Sequence, residues 1–426
     1  MIRRDFLGTL AGAGAVRFQQ RYDLVIKRGE VLDPARRFRR RADVGIRDGK
    51  IAAVEDDIPA EQGAGVLEAR GLLVAPGLVD LHTHCCWGVT GLSLEADPIA
   101  ARSGATTWVD AGSFASDQVE GFRRFIVAPS QARIFGYVHL YPDLRNPDVD
   151  VVKYVRDGMR RTAQAALGNR DIVLGVKVYV GANMNGRYGL DFLKIGRELG
   201  DQFKLPLMVH ISFAPPETPQ VMELLRSGDV VTHCFNTHTL GILDQQGRLK
   251  PGVREARARG VLFDVGHGVG SFNFEVARQA LQAGFLPDTI STDLYNLNVN
   301  GPVYDLPTTL SKFLHLGLSL EEVLLRATAH PAKVIGRVPG LGTLAVGAPA
   351  DVALLALEEG EFKLVDSQKN AVTAQQRLVS RGTICRGRRL VPTKPATASA
   401  ESAFATRGYP RAKYSDTARS RSGRVT

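Results

Sequence analysis

Hydrophobic positions in the middle of the chain fall into short apolar runs separated by amphipathic segments of helical length. The helical segments include residues 149–167, 218–227 and 274–284. The apolar runs of strand length are residues 79–84, 106–112, 134–141, 173–180, 206–211, 229–235, 261–268 and 289–295. Strands and helices that alternate in this way predict an α/β fold with a parallel sheet.

Eight such units between residues 77 and 335 match a (β/α)8 TIM barrel, which typically takes about 250 residues. The competing α/β architecture is a doubly wound sheet, which requires a glycine-rich phosphate loop after an early strand. The glycine-dense stretch at residues 266–270 follows the seventh run and lacks the full spacing of that loop. We therefore expect the barrel.

The two flanks of this region alternate in the manner of short β-strands. Residues 22–76 contain three such strands, separated by turn pairs such as Asp48-Gly49, and similar strands return between residues 342 and 391. We expect a small β-sandwich domain built from residues 22–76 and 336–392, beside a barrel of residues 77–335.

Most of the net positive charge lies at the two ends of the chain, outside the predicted domains. The chain of 426 residues has a formal charge of +10. Residues 1–21 carry +3 of it and residues 393–426 carry +5, which leaves +2 for residues 22–392. A near-neutral folded part without a binding motif argues against a nucleic-acid-binding protein. No apolar run reaches the ~20 residues that a membrane-spanning helix needs.

The two ends of the chain have their own patterns. Arg3-Arg4, then Phe6-Leu7 and a small-residue stretch up to Ala15, is similar to a twin-arginine export signal. This predicts a signal segment at residues 1–21 and export to the periplasm. The alternative is the loose start of a cytoplasmic protein. The basic tail, residues 393–426, has few core-forming residues, so we expect it to be disordered.

Ionisable residues mark the carboxyl ends of the apolar runs, where barrel enzymes build their active sites. These residues are His82 and His84 on the first run, Lys177 on the fourth, His210 on the fifth, His233 on the sixth and Asp293 on the eighth. We expect their side chains to converge.

The first run suggests a metal site. Side chains alternate along a strand, so His82 and His84 share a face and can bind one divalent cation. Asp80 lies on the same face, and we expect it to orient an imidazole.

Lys177 stands in an apolar run without an acidic neighbour. Desolvation favours its neutral amine, which can take up carbon dioxide to form a carbamate that bridges two metal ions. The alternative is a lysine at the end of a strand that reaches solvent.

These features together resemble the amidohydrolase superfamily. The resemblance spans residues 22–392 and rests on Pro-Gly-Leu-Val-Asp-Leu-His-Thr-His at residues 76–84, on the lysine, histidines and aspartate above, and on Gly-Ala-Pro-Ala-Asp at residues 347–351. Residues 175–177, 232–236 and 264–268 resemble its deacetylase-like, dihydroorotase-related branch.

The resemblance implies two divalent ions, usually zinc, bridged by a carboxylated lysine and a hydroxide. His82, His84, Lys177 and Asp293 would hold one ion, and Lys177, His210 and His233 would hold the other. Asp293 would act as general base and then as general acid. The reaction implied is hydrolysis of an amide or ester bond in a small molecule, with a deacetylase of acylated amino or hydroxy acids as the favoured function.

Two alternatives stay open. One is a cyclic amide hydrolase similar to dihydroorotase or hydantoinase. In dihydroorotases an arginine that clamps the substrate carboxylate occupies the position of Cys86, so this alternative is weakened. The other is a catalytically inactive dihydropyrimidinase-like scaffold, which is disfavoured because every expected ligand position is filled.

Two further residues are candidates for substrate contact. His267 follows the seventh run, and Tyr179 shares a strand face with Lys177. Members of the superfamily commonly assemble as dimers or tetramers, so we also expect a homo-oligomer.

Overall fold

Two separate sheets organise the chain: a parallel sheet of seven strands and a mixed sheet of eight. The computed structural model describes residues 20–140, 150–185 and 188–391. The predicted export motif, within residues 1–19, and the basic tail, within residues 392–426, lie outside the described residues. Among the residues that are described, no helix combines the length and apolar character that crossing a membrane requires.

The secondary structure alternates through the middle of the chain as the periodicity predicts. The strands are β1 (Tyr22–Asp33), β2 (Phe38–Arg47), β3 (Lys50–Glu55), β4 (Gly63–Glu68), β5 (Leu73–Pro76), β6 (Leu78–Thr83), β7 (Ala105–Phe114), β8 (Arg133–His139), β9 (Val173–Val180), β10 (Leu207–Ile211), β11 (Val230–Thr232), β12 (Leu262–Asp264), β13 (Val352–Val365), β14 (Ala371–Cys385) and β15 (Arg388–Arg389). The α-helices are α1 (Asp97–Ser103), α2 (Val119–Gly121), α3 (Val151–Gly168), α4 (Ala182–Asn185), α5 (Gly189–Phe203), α6 (Thr218–Leu224), α7 (Val253–Ala258), α8 (Phe274–Gln282), α9 (Leu306–His315), α10 (Leu320–Leu325) and α11 (Ala329–Ile335).

The parallel sheet has the strand order β12-β11-β10-β9-β8-β7-β6. A doubly wound sheet reverses its order at a switch point, whereas this order follows the chain from one edge to the other. The sheet curls so far that one segment touches both edges. Thr289 makes a parallel bridge to Asp264 at the end of β12, and Leu294 makes one to Thr83 at the end of β6.

Each of the first seven apolar runs overlaps a strand of the parallel sheet, but the last runs pair for only a few residues. β11 and β12 have three residues each, and the eighth run forms single bridges instead of a strand. The backbone explains this difference. His233, Gly266 and Asp293 have φ values of +70°, +47° and +49°, and this left-handed conformation interrupts a ladder of extended residues.

The mixed sheet joins the two flanks of the chain. Its order is β15-β14-β13-β5-β1-β2-β3, with β4 also paired to β1, and β13 lies antiparallel to β5 with Val352 opposite Pro76. The flanks therefore form one mixed sheet that is separate from the parallel sheet. The 12-residue strand β1 makes this possible, because its first half pairs with β4 and its second half with β5.

Asp351, from the motif at residues 347–351, ties the mixed sheet to the parallel one. It is 2% exposed. Its Oδ2 accepts a hydrogen bond from Arg133 Nη2 at the start of β8, at 2.9 Å, and its Oδ1 accepts one from the backbone N–H of Arg386, at 2.7 Å. The motif thus has a structural role far from the histidines.

We expect Asp351→Ala to lower the free energy of unfolding by about 2–4 kcal/mol, because it leaves the Arg133 guanidinium and a backbone N–H without their buried acceptor. Urea denaturation measures this. Asp157→Ala removes a carboxylate from an exposed ion pair with Lys153 and should leave the midpoint unchanged. An equal midpoint for wild type and Asp351→Ala would contradict the assignment.

Candidate metal centre

The six predicted site residues come together at the carboxyl ends of the parallel strands. In four of them the functional atoms lie within 3.4 Å of one another in a chain of short contacts. Lys177 Nζ lies 3.3 Å from His82 Nε2. Asp293 Oδ1 lies 3.4 Å from His82 Nε2 and 3.2 Å from His84 Nε2.

The other two histidines complete the cluster. The ring centroid of His233 lies 5.0 Å from that of His82 and 4.4 Å from that of His210. Tyr179 is beside them, with its ring centroid 5.4 Å from that of His210 and 5.5 Å from Lys177 Nζ.

Three of these side chains form a buried donor set that suits a metal ion. One potential ligand atom each from His82, His233 and Asp293 lies within 4.8 Å of the other two. Imidazole nitrogen and carboxylate oxygen are donors that zinc and similar ions prefer in proteins. The cluster therefore indicates a metal site at this end of the sheet.

Hydrogen bonds on the far side of the rings of His82 and His233 leave their Nε2 atoms facing the cluster. Thr232 donates its hydroxyl proton to Asp264 Oδ2 at 2.8 Å, so its oxygen accepts from His82 Nδ1 at 2.7 Å. His233 Nδ1 donates to the carbonyl oxygen of Gly266 at 2.7 Å. Both rings then carry their proton on Nδ1 and present the lone pair of Nε2 to the cluster.

Burial also keeps the imidazoles neutral. It lowers the pKa of His82 and His210 well below the ordinary value of 6.5, and lowers the pKa of His233 to about 4. Neutral imidazole is the form that binds metals.

Lys177 does not reach solvent. The residue is 1% exposed, and burial lowers the pKa of its amine from 10.5 to about 8. Gly112 makes room for the stem, because a Cβ atom there would lie 2.7 Å from Lys177 Cβ and Cγ. The neutral amine is thus readily accessible to this lysine.

Within the described part of the chain, Asp80 does not hydrogen-bond to an imidazole, although we expected it to orient one. Its Oδ2 accepts from Thr292 Oγ1 at 2.6 Å and its Oδ1 from the Thr292 backbone N–H at 3.0 Å, and burial raises its pKa to about 7. Asp80 therefore holds the residue that precedes Asp293. The carboxylate behind the His82 imidazole is Asp264, acting through Thr232.

Two buried aspartates of the site, Asp264 and Asp110, were not identified as functional residues from the sequence. Asp264 accepts from Thr232, from Thr289 at 2.6 Å and from Ser291 at 2.8 Å. Asp110 accepts from four backbone N–H groups, those of Cys85, Cys86, Gly112 and Ser113, and the Ser113 hydroxyl contacts His84 Nδ1 at 2.8 Å. Each lies in an apolar run, the same anomaly that singled out Lys177.

His267 lies deeper than a substrate contact requires. It is fully buried, its Nδ1 donates to the carbonyl oxygen of Gly268 at 2.9 Å, and its Nε2 lies 2.7 Å from Lys312 Nζ. Its ring stacks on Phe272. Both ring nitrogens are thus engaged within the protein, and a role in substrate binding stays a prediction.

The glycine-rich segment after β12 serves close packing. A Cβ atom on Gly266 would lie 2.3 Å from Thr232 Oγ1 and 3.0 Å from His82 Nδ1, and one on Gly268 would lie 2.4 Å from Asp293 Oδ2. Both glycines also have positive φ values. Any side chain here would displace the groups that orient His82 or the carboxylate of Asp293.

Known proteins resemble this chain in both sequence and structure. Residues 198–390 match the Amidohydrolase family. Deacetylase Atu3266 of Agrobacterium fabrum is 34% identical over 377 residues, which are 86% of this chain and 87% of that protein. A deacetylase of Brucella anthropi is 32% identical over 86% of this chain and 89% of its own length.

Solved structures give the same result. The crystal structure of an adenine deaminase has a TM-score of 0.79 and 31% identity, and covers 86% of this chain and 99% of its own. The crystal structure of a dihydroorotase has a TM-score of 0.76 and 30% identity, over 87% and 99%. Since relatives above 30% identity extend over most of both sequences, the chain belongs to the amidohydrolase family of hydrolases.

Proposed function

We propose that this protein is a metal-dependent deacylase that hydrolyses the amide or ester bond of acylated amino or hydroxy acids. The observation that carries the proposal is the convergence of ligand atoms from His82, His233 and Asp293 within 4.8 Å of one another. The deacetylase relatives support acyl transfer to water as the reaction.

The proposal includes a closed (β/α)8 barrel as the scaffold. Residues 289–294 would provide its eighth strand position, between β12 and β6. The bridges from Thr289 to Asp264 and from Leu294 to Thr83 support this closure. It would place Asp293 next to His82 of β6, in agreement with the 3.4 Å between Asp293 Oδ1 and His82 Nε2.

The proposed site holds two divalent ions, with zinc as the expected metal. His82, His84, Lys177 and Asp293 would bind one ion, and Lys177, His210 and His233 the other. Lys177 can serve both only as a carbamate, formed when the neutral amine adds to carbon dioxide and releases a proton. The burial of Lys177 and its lowered pKa support that modification.

Divalent ions in such a site supply a water of lowered pKa and polarise the carbonyl of the substrate. Asp293 accepts the proton of the attacking water and delivers it to the leaving nitrogen or oxygen. Its backbone is held on both sides, because its N–H donates to the His82 carbonyl at 2.7 Å and its carbonyl accepts from Asn298 Nδ2 at 2.7 Å. The carboxylate is therefore fixed beside the two histidines.

The dihydroorotase alternative lacks its charged clamp. Cys86 is fully buried, and its backbone N–H donates to Asp110 Oδ2 at 2.9 Å. A thiol at this position supplies no positive charge for a cyclic substrate's carboxylate. The observation disfavours dihydroorotate as the substrate.

Location and assembly are part of the proposal as well. The paired arginines near the N-terminus support export to the periplasm, with the cytoplasm as the alternative. We also propose a homo-oligomer, because members of the superfamily commonly assemble as dimers or tetramers.

We expect Lys177→Ala to lose both metal ions and all measurable hydrolysis, because it removes the group that the two ions share. Metal content by mass spectrometry of the purified protein and hydrolysis of N-acetylated amino acids are the two readouts. Lys312→Met is the matched control, since Lys312 is also fully buried but contacts His267 and the Pro302 carbonyl. Its metal content should match wild type. A Lys177→Ala protein that retains both ions would refute the shared ligand.

Asp293→Asn should reduce kcat by about 10²–10⁴-fold, because the amide cannot accept and deliver the proton. The fold should survive, since the backbone hydrogen bonds of Asp293 do not involve the side chain. Steady-state kinetics of the zinc-loaded variant give the measurement. Asp305→Asn, which alters a helix cap of α9, is the control and should retain the wild-type kcat. A kcat within tenfold of wild type for Asp293→Asn would contradict the assigned role.

The metal-free protein should lose stability in mild acid. Burial lowers the pKa of His233 from 6.5 to about 4, so below pH 6.5 the unfolded chain takes up a proton that the folded chain does not. The free energy of unfolding then falls as the pH drops from 6.5 to about 4, by about 3 kcal/mol for this group. Below that pH both states bind the proton and the effect ends.

Urea denaturation of chelator-treated protein between pH 7 and pH 4.5 tests this. His233→Gln should reduce the pH dependence, whereas His330→Gln, at the start of α11, should not change it. An unchanged dependence in His233→Gln would show that the histidine does not titrate as described.

A further inference from the structure

Exposed apolar side chains concentrate around the mouth of the site. Among the described residues, thirteen large hydrophobic side chains are exposed, and eight of them lie in segments that follow the carboxyl ends of the parallel strands or follow residues 289–294. Six belong to three neighbouring loops, after β6, after β12 and after residues 289–294. These six, called the apolar rim below, are Trp87, Val89, Leu92, Val269, Leu297 and Tyr304.

The apolar rim is continuous with the cluster of histidines. The backbone N–H of Asn296 donates to the Leu92 carbonyl at 3.0 Å, which joins the first loop to the last. The ring of Tyr295, the neighbour of Asn296, lies 5.9 Å from the ring of His84. The loops that carry the rim therefore also contact the histidine cluster.

The loops that carry the rim contain no positive charge. Residues 85–96, 265–273 and 294–305 include neither lysine nor arginine, and their acidic residues are Glu95 and Asp305. Asp305 is engaged as the N-cap of α9, where it accepts from the Thr308 N–H at 2.9 Å. This side of the mouth therefore offers nothing that would pair with an anionic group.

Exposure of this apolar surface in water is unfavourable, with Leu297 65% exposed, Leu92 51% and Trp87 46%. Contiguous apolar patches on a soluble protein mark binding sites. One of the loops that carry this patch also carries Tyr295, whose ring lies beside that of His84, so an occupant of the patch must be compatible with hydrolysis beside Asp293.

We propose that the apolar rim receives a bulky, uncharged side chain of the substrate, so that the enzyme selects acylated amino or hydroxy acids with apolar side chains. This inference rests on the proposed deacylase function and adds its specificity. The side chain lies against Leu92 and Leu297, while the acyl bond enters the histidine cluster. Anionic side chains are rejected, because they would lose hydration without gaining a positively charged partner.

The test compares kcat/KM of the zinc-loaded protein for the N-acetyl derivatives of alanine, leucine, phenylalanine and glutamate, each measured as the D and the L enantiomer. We expect leucine or phenylalanine to exceed alanine by at least about tenfold, since each buried methylene favours binding by roughly fourfold. Glutamate should fall below alanine. In the double variant Leu92→Ser/Leu297→Ser, the ratio of leucine to alanine should fall at least fivefold.

The matched control is Phe125→Ser/Val346→Ser, which changes two exposed apolar residues outside the catalytic loops and should keep the wild-type ratio. Calorimetric binding of the products leucine and alanine to the metal-free protein gives a second readout, in which the double variant should lose the preference for leucine.

The outcomes separate the two proposals. Failure of wild type to hydrolyse any acylated compound would overturn the deacylase function. Hydrolysis of N-acetylalanine with a leucine ratio near one, or a preference for glutamate, would overturn the apolar specificity alone. Binding to phosphatidylcholine vesicles, or an oligomeric mass, that depends on Leu92 and Leu297 would also overturn it, because the rim would then face a lipid surface or a second copy.

Discussion

Three imidazoles and one amine lie buried in contact with one another, and they cannot all be protonated there. Each charge would lose its hydration and repel the others. Burial moves the pKa values of His82, His210, His233 and Lys177 downward, toward the neutral forms. Neutral nitrogen donors that converge on one space, beside the carboxylate of Asp293, are suited to hold cations. The surrounding strands and loops bring these side chains together and orient them.

The orientation comes from hydrogen bonds on the side of each ring away from the cluster. Asp264 acts through Thr232 on His82, the Gly266 carbonyl acts on His233, and Ser113 contacts His84. Left-handed backbone at His233 and Asp293 turns the chain where the strands end. The parallel ladder is short at these places because the chain leaves extended conformation to present its functional groups.

Much of this arrangement can be predicted from the sequence, because it depends on local pattern. Apolar runs located the strands of the parallel sheet, and a lysine without a partner inside such a run indicated a functional amine. The partners of the buried aspartates could not be predicted in the same way. Asp264 and Thr232 are 32 residues apart, and Asp80 meets Thr292 across 212 residues, so only the closed packing of distant segments decides which carboxylate supports which ring. The continuous sheet of the flanks likewise depends on how far β1 extends, which alternation alone does not define.

We propose that the buried cluster holds two metal ions that share Lys177 as a ligand. Anomalous X-ray diffraction from crystals of the zinc-loaded protein locates each ion, and the electron density shows whether the lysine is carboxylated. We expect two zinc peaks per chain, one beside His82, His84 and Asp293 and one beside His210 and His233, with extra density on Lys177 Nζ between them. A single peak, or two peaks beside an unmodified lysine, would rule out a lysine carbamate shared by two ions.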